Sequence, residues 1–151
     1  MTVSAATLAS LGLYRTHELR RHANGRLRFE LLDGAHLYKD ASVYLWGAQG
    51  VSGGDSVEPL YVGKAGRGIA ARLREHEAGF VHSGTGRANA ELLGRTLDMA
   101  TRVVVFTRKS ARTQLFGQTV SLYAAEEDAL CQLLQPSINR AAFPPLLEAA
   151  A

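Results

Sequence analysis

Arg102-Val103-Val104-Val105-Phe106 is a short β-branched run, and it reads best as a buried strand. Two further strand signals precede it, Val43-Tyr44-Leu45-Trp46 and Leu60-Tyr61-Val62, separated by a polar, glycine-rich loop from Gly47 to Val57 that suits an elongated hairpin. Helical patterns follow the second strand over about 67–79 and 88–99. A last helix is expected over about 121–134, ending before Pro136 because the residue preceding proline disfavours the α region. Residues 111–119 are polar and fit neither period. The order β-β-α-α-β-α predicts an α/β (α+β) sandwich with a small, partly antiparallel sheet.

The first forty residues read as an extension packed on this core. Ser4 can cap a helix over 4–22, with Leu8, Leu11 and Leu19 as a broken apolar stripe, although Gly12 interrupts it. Asn24-Gly25 marks a turn. Leu27-Arg28-Phe29-Glu30-Leu31 alternates like a half-buried strand, and Asp33-Gly34 can fold it back onto Leu37-Tyr38. The expected organisation is an N-terminal helix and hairpin extension (1–41), a core domain (42–140) and a C-terminal tail (141–151).

With 151 residues the chain has room for one domain and one core. No apolar run approaches the roughly 20 residues that span a bilayer, and the N-terminus lacks the features of a secretory signal. Cys131 is the only cysteine, so internal disulfides and cysteine-rich zinc sites are excluded. The expected location is the cytoplasm, and Ala, Arg and Gly usage fits a bacterial source. The net charge of +3 says little by itself. Its distribution says more: Arg15 to Arg28, Lys64 to Arg74 and Arg102 to Arg112 are three basic clusters of the kind that track a phosphate backbone.

Several residues have the chemistry of phosphodiester cleavage. Arg72 and His76, spaced i, i+4, share one face of a helix beside its apolar stripe, while Arg67 and Arg74 point away from that stripe. Tyr44 and Tyr61 can lie on one face if their strands pair antiparallel. Lys64, at a strand end, can hydrogen-bond a phenolate or a phosphate. The segment Gly63-Lys64-Ala65-Gly66-Arg67-Gly68 is not a P-loop, because Glu58 stands where a glycine is required and Ala65 where a serine or threonine is. Glu126, Glu127 and Asp128 open the last helix; one carboxylate with waters and phosphate oxygens is a usual way to hold magnesium, and the helical wheel does not choose between Glu126 and Glu127.

Taken in order, Ser42-Val43-Tyr44, Leu60-Tyr61-Val62-Gly63-Lys64-Ala65, Arg72-Leu73-x-x-His76, Glu127-x-x-Leu130 and Pro136-x-x-Asn139 resemble the GIY-YIG nuclease superfamily over about residues 42–140. The resemblance implies a small mixed sheet of about three core strands flanked by helices, and hydrolysis of nucleic acid with one Mg²⁺ or Mn²⁺. It places Tyr44 and Tyr61 as the two motif tyrosines, with Lys64 following the second. It makes Arg72 the contact to the scissile phosphate and Glu127, rather than Glu126, the metal ligand. Asn139 becomes a buttress, and His76 matches the Arg-x3-His arrangement of the restriction-enzyme branch. Ser42 replaces the usual glycine of the first motif, the two tyrosine motifs are widely spaced, and the Lys64-to-Arg72 interval is one residue longer than in the repair branch; none of these removes a catalytic group.

The function expected is therefore a metal-dependent endonuclease acting on DNA, with RNA left open. A tyrosine, helped by Lys64 and His76, would direct water attack, and either phenol can be the base. Arg67, Arg74 and Lys109 are candidate nucleic-acid contacts. The competing expectation is a catalytically silent nucleic-acid-binding module of the same fold. Monomer and homodimer both fit, as do restriction, repair, mobile-element and toxin roles.

Overall fold

A computed structural model describes residues 1–142 of the chain, with side chains described to Asn139. The tail expected at 141–151 therefore lies, past Ala142, outside the described residues. The elements run β1 (Val3–Ser4), α1 (Ala5–Ser10), β2 (Tyr14–Arg21), β3 (Leu27–Leu31), β4 (Ser42–Gly50), β5 (Ser56–Ala65), α2 (Ile69–His82), α3 (Gly84–Asp98), β6 (Thr101–Lys109), β7 (Arg112–Leu115), β8 (Gln118–Ser121), α4 (Tyr123–Leu134) and α5 (Ser137–Ala142).

Six strands form one sheet in the order β1-β5-β4-β6-β2-β3, and β7 and β8 form a separate hairpin. Helices cover both faces. Tyr44, Trp46, Val103 and Val105 face Ile69, Leu73 and Phe80 of α2 and Leu93 of α3. Val43, Leu45, Val104 and Phe106 face Leu8 of α1 and Leu130 and Leu134 of α4. β4 and β6 are thus buried on both sides, which explains why their sequences are continuous apolar runs rather than alternating ones. The α+β class holds. The sheet is larger than three strands, however, and every pairing in it is antiparallel, so the mixed character expected from the sequence is corrected.

The N-terminal segment departs most from expectation. The helix ends at Ser10, and Gly12 (φ +77°) turns the chain into a strand. β2 pairs with β6, and β3 pairs with β2 around the Asn24-Gly25 turn, so Leu27–Leu31 folds back on Tyr14–Arg21 and not on Leu37-Tyr38. Residues before 42 are part of the sheet itself. The sequence hid this because the interior of β2 is polar: Thr16, His17 and Glu18 are buried. Their partners are distant in sequence. Thr16 shares a hydrogen bond of 2.8 Å with Thr107, and Arg102 holds Glu18 through two bonds of 2.9 and 3.0 Å. That pairing keeps the Glu18 carboxyl below its ordinary range.

The later elements lie close to the expected ones. β4 and β5 extend into the glycine loop and do form a long hairpin, α2 to α4 shift by a few residues, and α4 stops before Pro136. Residues 112–121, polar and without a helical period, are the β7–β8 hairpin.

Leu45 is fully buried in the central strand. Leu45→Ala should lower the unfolding free energy by about 2–5 kcal/mol, read from the urea midpoint; a loss below about 1 kcal/mol would contradict a strand packed on both faces.

Candidate active site

Register brings the two tyrosines together. In the β4–β5 hairpin, Tyr44 lies opposite Gly63 and Trp46 opposite Tyr61, so all four residues point to the α2 side. Gly63 is required there: a Cβ at this position would overlap the Tyr44 ring and crowd Tyr61. With no side chain between them, the phenols sit as neighbours, ring centroids 6.1 Å apart.

α2 completes this wall. Its apolar residues Ile69, Leu73 and Phe80 seat it on the sheet, and Arg72 and His76 follow on the same side. His76 Nε2 and the Tyr44 hydroxyl share a hydrogen bond of 2.5 Å. The imidazole also packs edge-on against Trp46, centroids 4.7 Å apart. Burial pushes His76 down to about 4, and the Arg72 guanidinium adds to that, so the ring is neutral near pH 7. Burial, then the neighbouring Tyr61 phenol, pushes Tyr44 well above the ordinary tyrosine range, which keeps it protonated. The site therefore holds a neutral phenol–imidazole pair.

Arg72 lies beside that phenol. Its guanidinium donates to Glu75 at 2.7 Å, and Arg67 donates to the same carboxylate at 3.1 Å. Glu75 was not among the residues read from the sequence, although its i, i+3 spacing from Arg72 was the available signal.

Glu127 approaches from α4, on the other side of the sheet. Its carboxylate reaches the edge of β5, where it lies 4.0 Å from Lys64 Nζ. Burial raises its pKa, with the adjacent Asp128 adding to the effect and Lys64 and Arg72 opposing it. Glu126 has a different role. It accepts from Arg108 at 2.8 Å, from Ser110 Oγ at 2.5 Å and from the Ala111 N–H at 3.1 Å, and so ties α4 to β6. Both oxygens of Glu126 are bonded, whereas the nearest cation to Glu127 is 4.0 Å away. Asn139 closes the same edge: its amide accepts from the Val62 N–H at 2.7 Å and donates to the Val62 carbonyl at 3.0 Å. It acts as a short substitute for the strand β5 lacks there.

Tyr44, Tyr61, Lys64, Arg72, His76 and Glu127 thus form one cluster, with Asn139 supporting its edge. Among the described residues no group of three or more His, Cys, Asp or Glu side chains is arranged to hold a metal. The donor set fits an ion held by one carboxylate, waters and substrate oxygens, since Glu127 is a half-buried carboxylate whose nearest cation is 4.0 Å away. Of the basic candidates, Arg67 joins the cluster through Glu75, and Arg74 is exposed on α2. Lys109 pairs with Asp40 at 3.4 Å at the end of β6, two strands from Ala65 in register.

His17, buried in β2, is also pushed down to about 4 by burial. An unfolded histidine takes up its proton near ~6.5. The stability that these two buried histidines contribute by staying neutral should therefore be full above about pH 6.5 and be lost as pH drops from there to about 4. His76→Gln should reduce that slope and leave the His17 share, measured as the urea midpoint across the window. A mutant with an unchanged slope would mean that His76 titrates freely in the folded protein.

No protein-family model matches the chain, and no curated protein sequence does. Solved structures resemble it in shape. A structure of a bacteriophage T4 EndoII mutant superposes with a TM-score of 0.65 at 14% identity, over 87% of this chain and 95% of that one. The restriction endonuclease HPY188I, in complex with product DNA, is a looser likeness: TM-score 0.48, 14% identity, 88% of this chain and 80% of that one. The fold is that of EndoII across nearly all of both chains.

Proposed function

We propose that the protein is a DNA endonuclease of the GIY-YIG type, hydrolysing phosphodiester bonds with one Mg²⁺ or Mn²⁺ at Glu127. The observation that carries this reading is the Tyr44–His76 hydrogen bond with Arg72 beside it, and the Lys64–Glu127 pair that also feels Arg72, a grouping drawn from β4, β5, α2 and α4. The fold shared with EndoII supports it.

A divalent ion bound by Glu127 would act as a Lewis acid on a phosphate oxygen and the leaving group. The protein's own groups account for the rest. Arg72 moves from Glu75 to the scissile phosphate, where a planar guanidinium can meet two oxygens and offset the charge that develops on them. Lys64 adds a second cation beside the carboxylate. Tyr44 is the phenol with a built-in proton acceptor: as its oxygen takes a proton from the attacking water, its own proton passes to His76 Nε2, which requires the ring proton to reside on Nδ1. Tyr61 flanks the pair and sets its polarity. Asn139 holds β5, and with it Tyr61 and Lys64, in place.

Supercoiled plasmid and single-stranded DNA, incubated with Mg²⁺ or with EDTA, test the reading. Cleavage should need the metal and fall to background in Glu127→Ala, while DNA binding persists. Arg72→Ala should slow cleavage by roughly 10²–10³-fold. Activity in EDTA, or a fully active Glu127→Ala, would overturn the assignment. Absence of cleavage with bound DNA would leave a silent binding module instead.

The two phenols are separable by single-turnover rates. Tyr44→Phe should cost more than Tyr61→Phe, because only Tyr44 bonds His76; the reverse order would move the base to Tyr61.

A further inference from the structure

β7 and β8 form a two-stranded ribbon between β6 and α4, outside the main sheet. It leaves β6 just after Lys109, whose register partner Ser42 also pairs with Ala65, so the ribbon begins at the end of the sheet that carries Lys64. It returns through Leu122 into α4, which carries Glu126 in its first turn and Glu127 next to it. Ser110 and Ala111, at its base, are fixed by Glu126. The ribbon is therefore anchored beside the candidate active site.

Its tip is unusual. Phe116 and Gly117 both have positive φ, +51° and +75°, as a type I′ turn requires. Asparagine or aspartate before glycine is the common choice there, since left-handed backbone is unfavourable for an aromatic residue. Phe116 is nonetheless fully exposed, and Leu115 beside it is about half exposed. Along the ribbon the paired positions Arg112–Ser121 and Gln114–Thr119 make one face wholly polar, with a hydrogen bond of 2.6 Å from Gln114 to Thr119. A bare aromatic at the end of a polar, basic-rooted ribbon suits a surface with stacked rings inside a charged groove. It suits a protein partner less, because the apolar area is only the tip.

Resting on the endonuclease reading, we propose that the β7–β8 ribbon enters a groove of duplex DNA next to the scissile bond and that Phe116 stacks against, or wedges between, bases there. Two-stranded ribbons fit the major groove, and phenylalanine is a known type of wedge between base steps. Arg112 and Lys109 would leave Asp40, 3.7 and 3.4 Å away, for backbone phosphates. The ribbon would thereby supply both position and local distortion to a small domain with little other surface for reading bases.

The test uses the full chain, in EDTA for binding and in Mg²⁺ for cleavage, with duplexes carrying 2-aminopurine at successive positions and matching single strands. Phe116→Asn removes the ring and favours the same turn, so the ribbon remains folded; Phe116→Trp keeps a stacking ring. The parent and Phe116→Trp should raise fluorescence at one or two duplex positions next to the cut. Phe116→Asn should lose that signal and bind and cleave at least about fivefold more weakly, the lower end for a base–aromatic stack. If the parent cleaves DNA and Phe116→Asn matches it in fluorescence, affinity and rate, this inference fails and the endonuclease reading stands. If the parent neither binds nor cleaves DNA, both fail. A signal confined to single strands, or a dimer without DNA that Phe116→Asn dissolves, would also overturn duplex entry.

Discussion

The double burial of β4 governs the rest of the molecule. This strand is hydrogen-bonded on both edges, to β5 and to β6, and packed on both faces. A strand so enclosed has one tolerable register, because a one-residue slip would exchange Tyr44 and Trp46 with Val43 and Leu45. The polar ends of Tyr44 and Trp46 would then face α4, away from His76. Fixing the register also fixes which α2 residue meets the phenol and places Gly63 opposite the ring that needs its space.

Burial then sets the electrostatics. A histidine and a tyrosine removed from water each favour their neutral form, so the pair bonds without either charge. The charged groups gather nearer the surface. Arg72 is shared with Glu75, and Lys64 with Glu127, each held in a part-exposed ion pair that costs little to open. Such an arrangement keeps phosphate-binding cations oriented without committing them. Ion pairs with a buried carboxylate are elsewhere, at Glu18 with Arg102 and at Glu126 with Arg108, where each carboxylate joins one element to another.

α4 shows how neighbouring residues of one type divide the work. Glu126 turns toward β6 and secures the base of the β7–β8 ribbon. Glu127, one position on and so about 100° around the helix, turns toward the edge of β5. The ribbon, the helix and the β5 edge are thereby tied to one another through two adjacent carboxylates.

The sequence by itself determined the central strands, the long β4–β5 hairpin and the three larger helices, because apolar runs and Gly/Pro punctuation are local properties. It also indicated that Tyr44 and Tyr61 share a face, given antiparallel pairing. What it did not disclose was β2. Thr16, His17 and Glu18 fall inside the helix expected over 4–22, and only Thr107 and Arg102, some ninety residues away, make them an interior. The strand count and the wholly antiparallel sheet follow from that long-range pairing. Tertiary structure alone also showed Glu126 bonded to Arg108, Ser110 and Ala111, and gave 112–121 its form as a two-stranded ribbon. Each of these depends on which distant group occupies the space beside a side chain, and no periodicity along the chain encodes that.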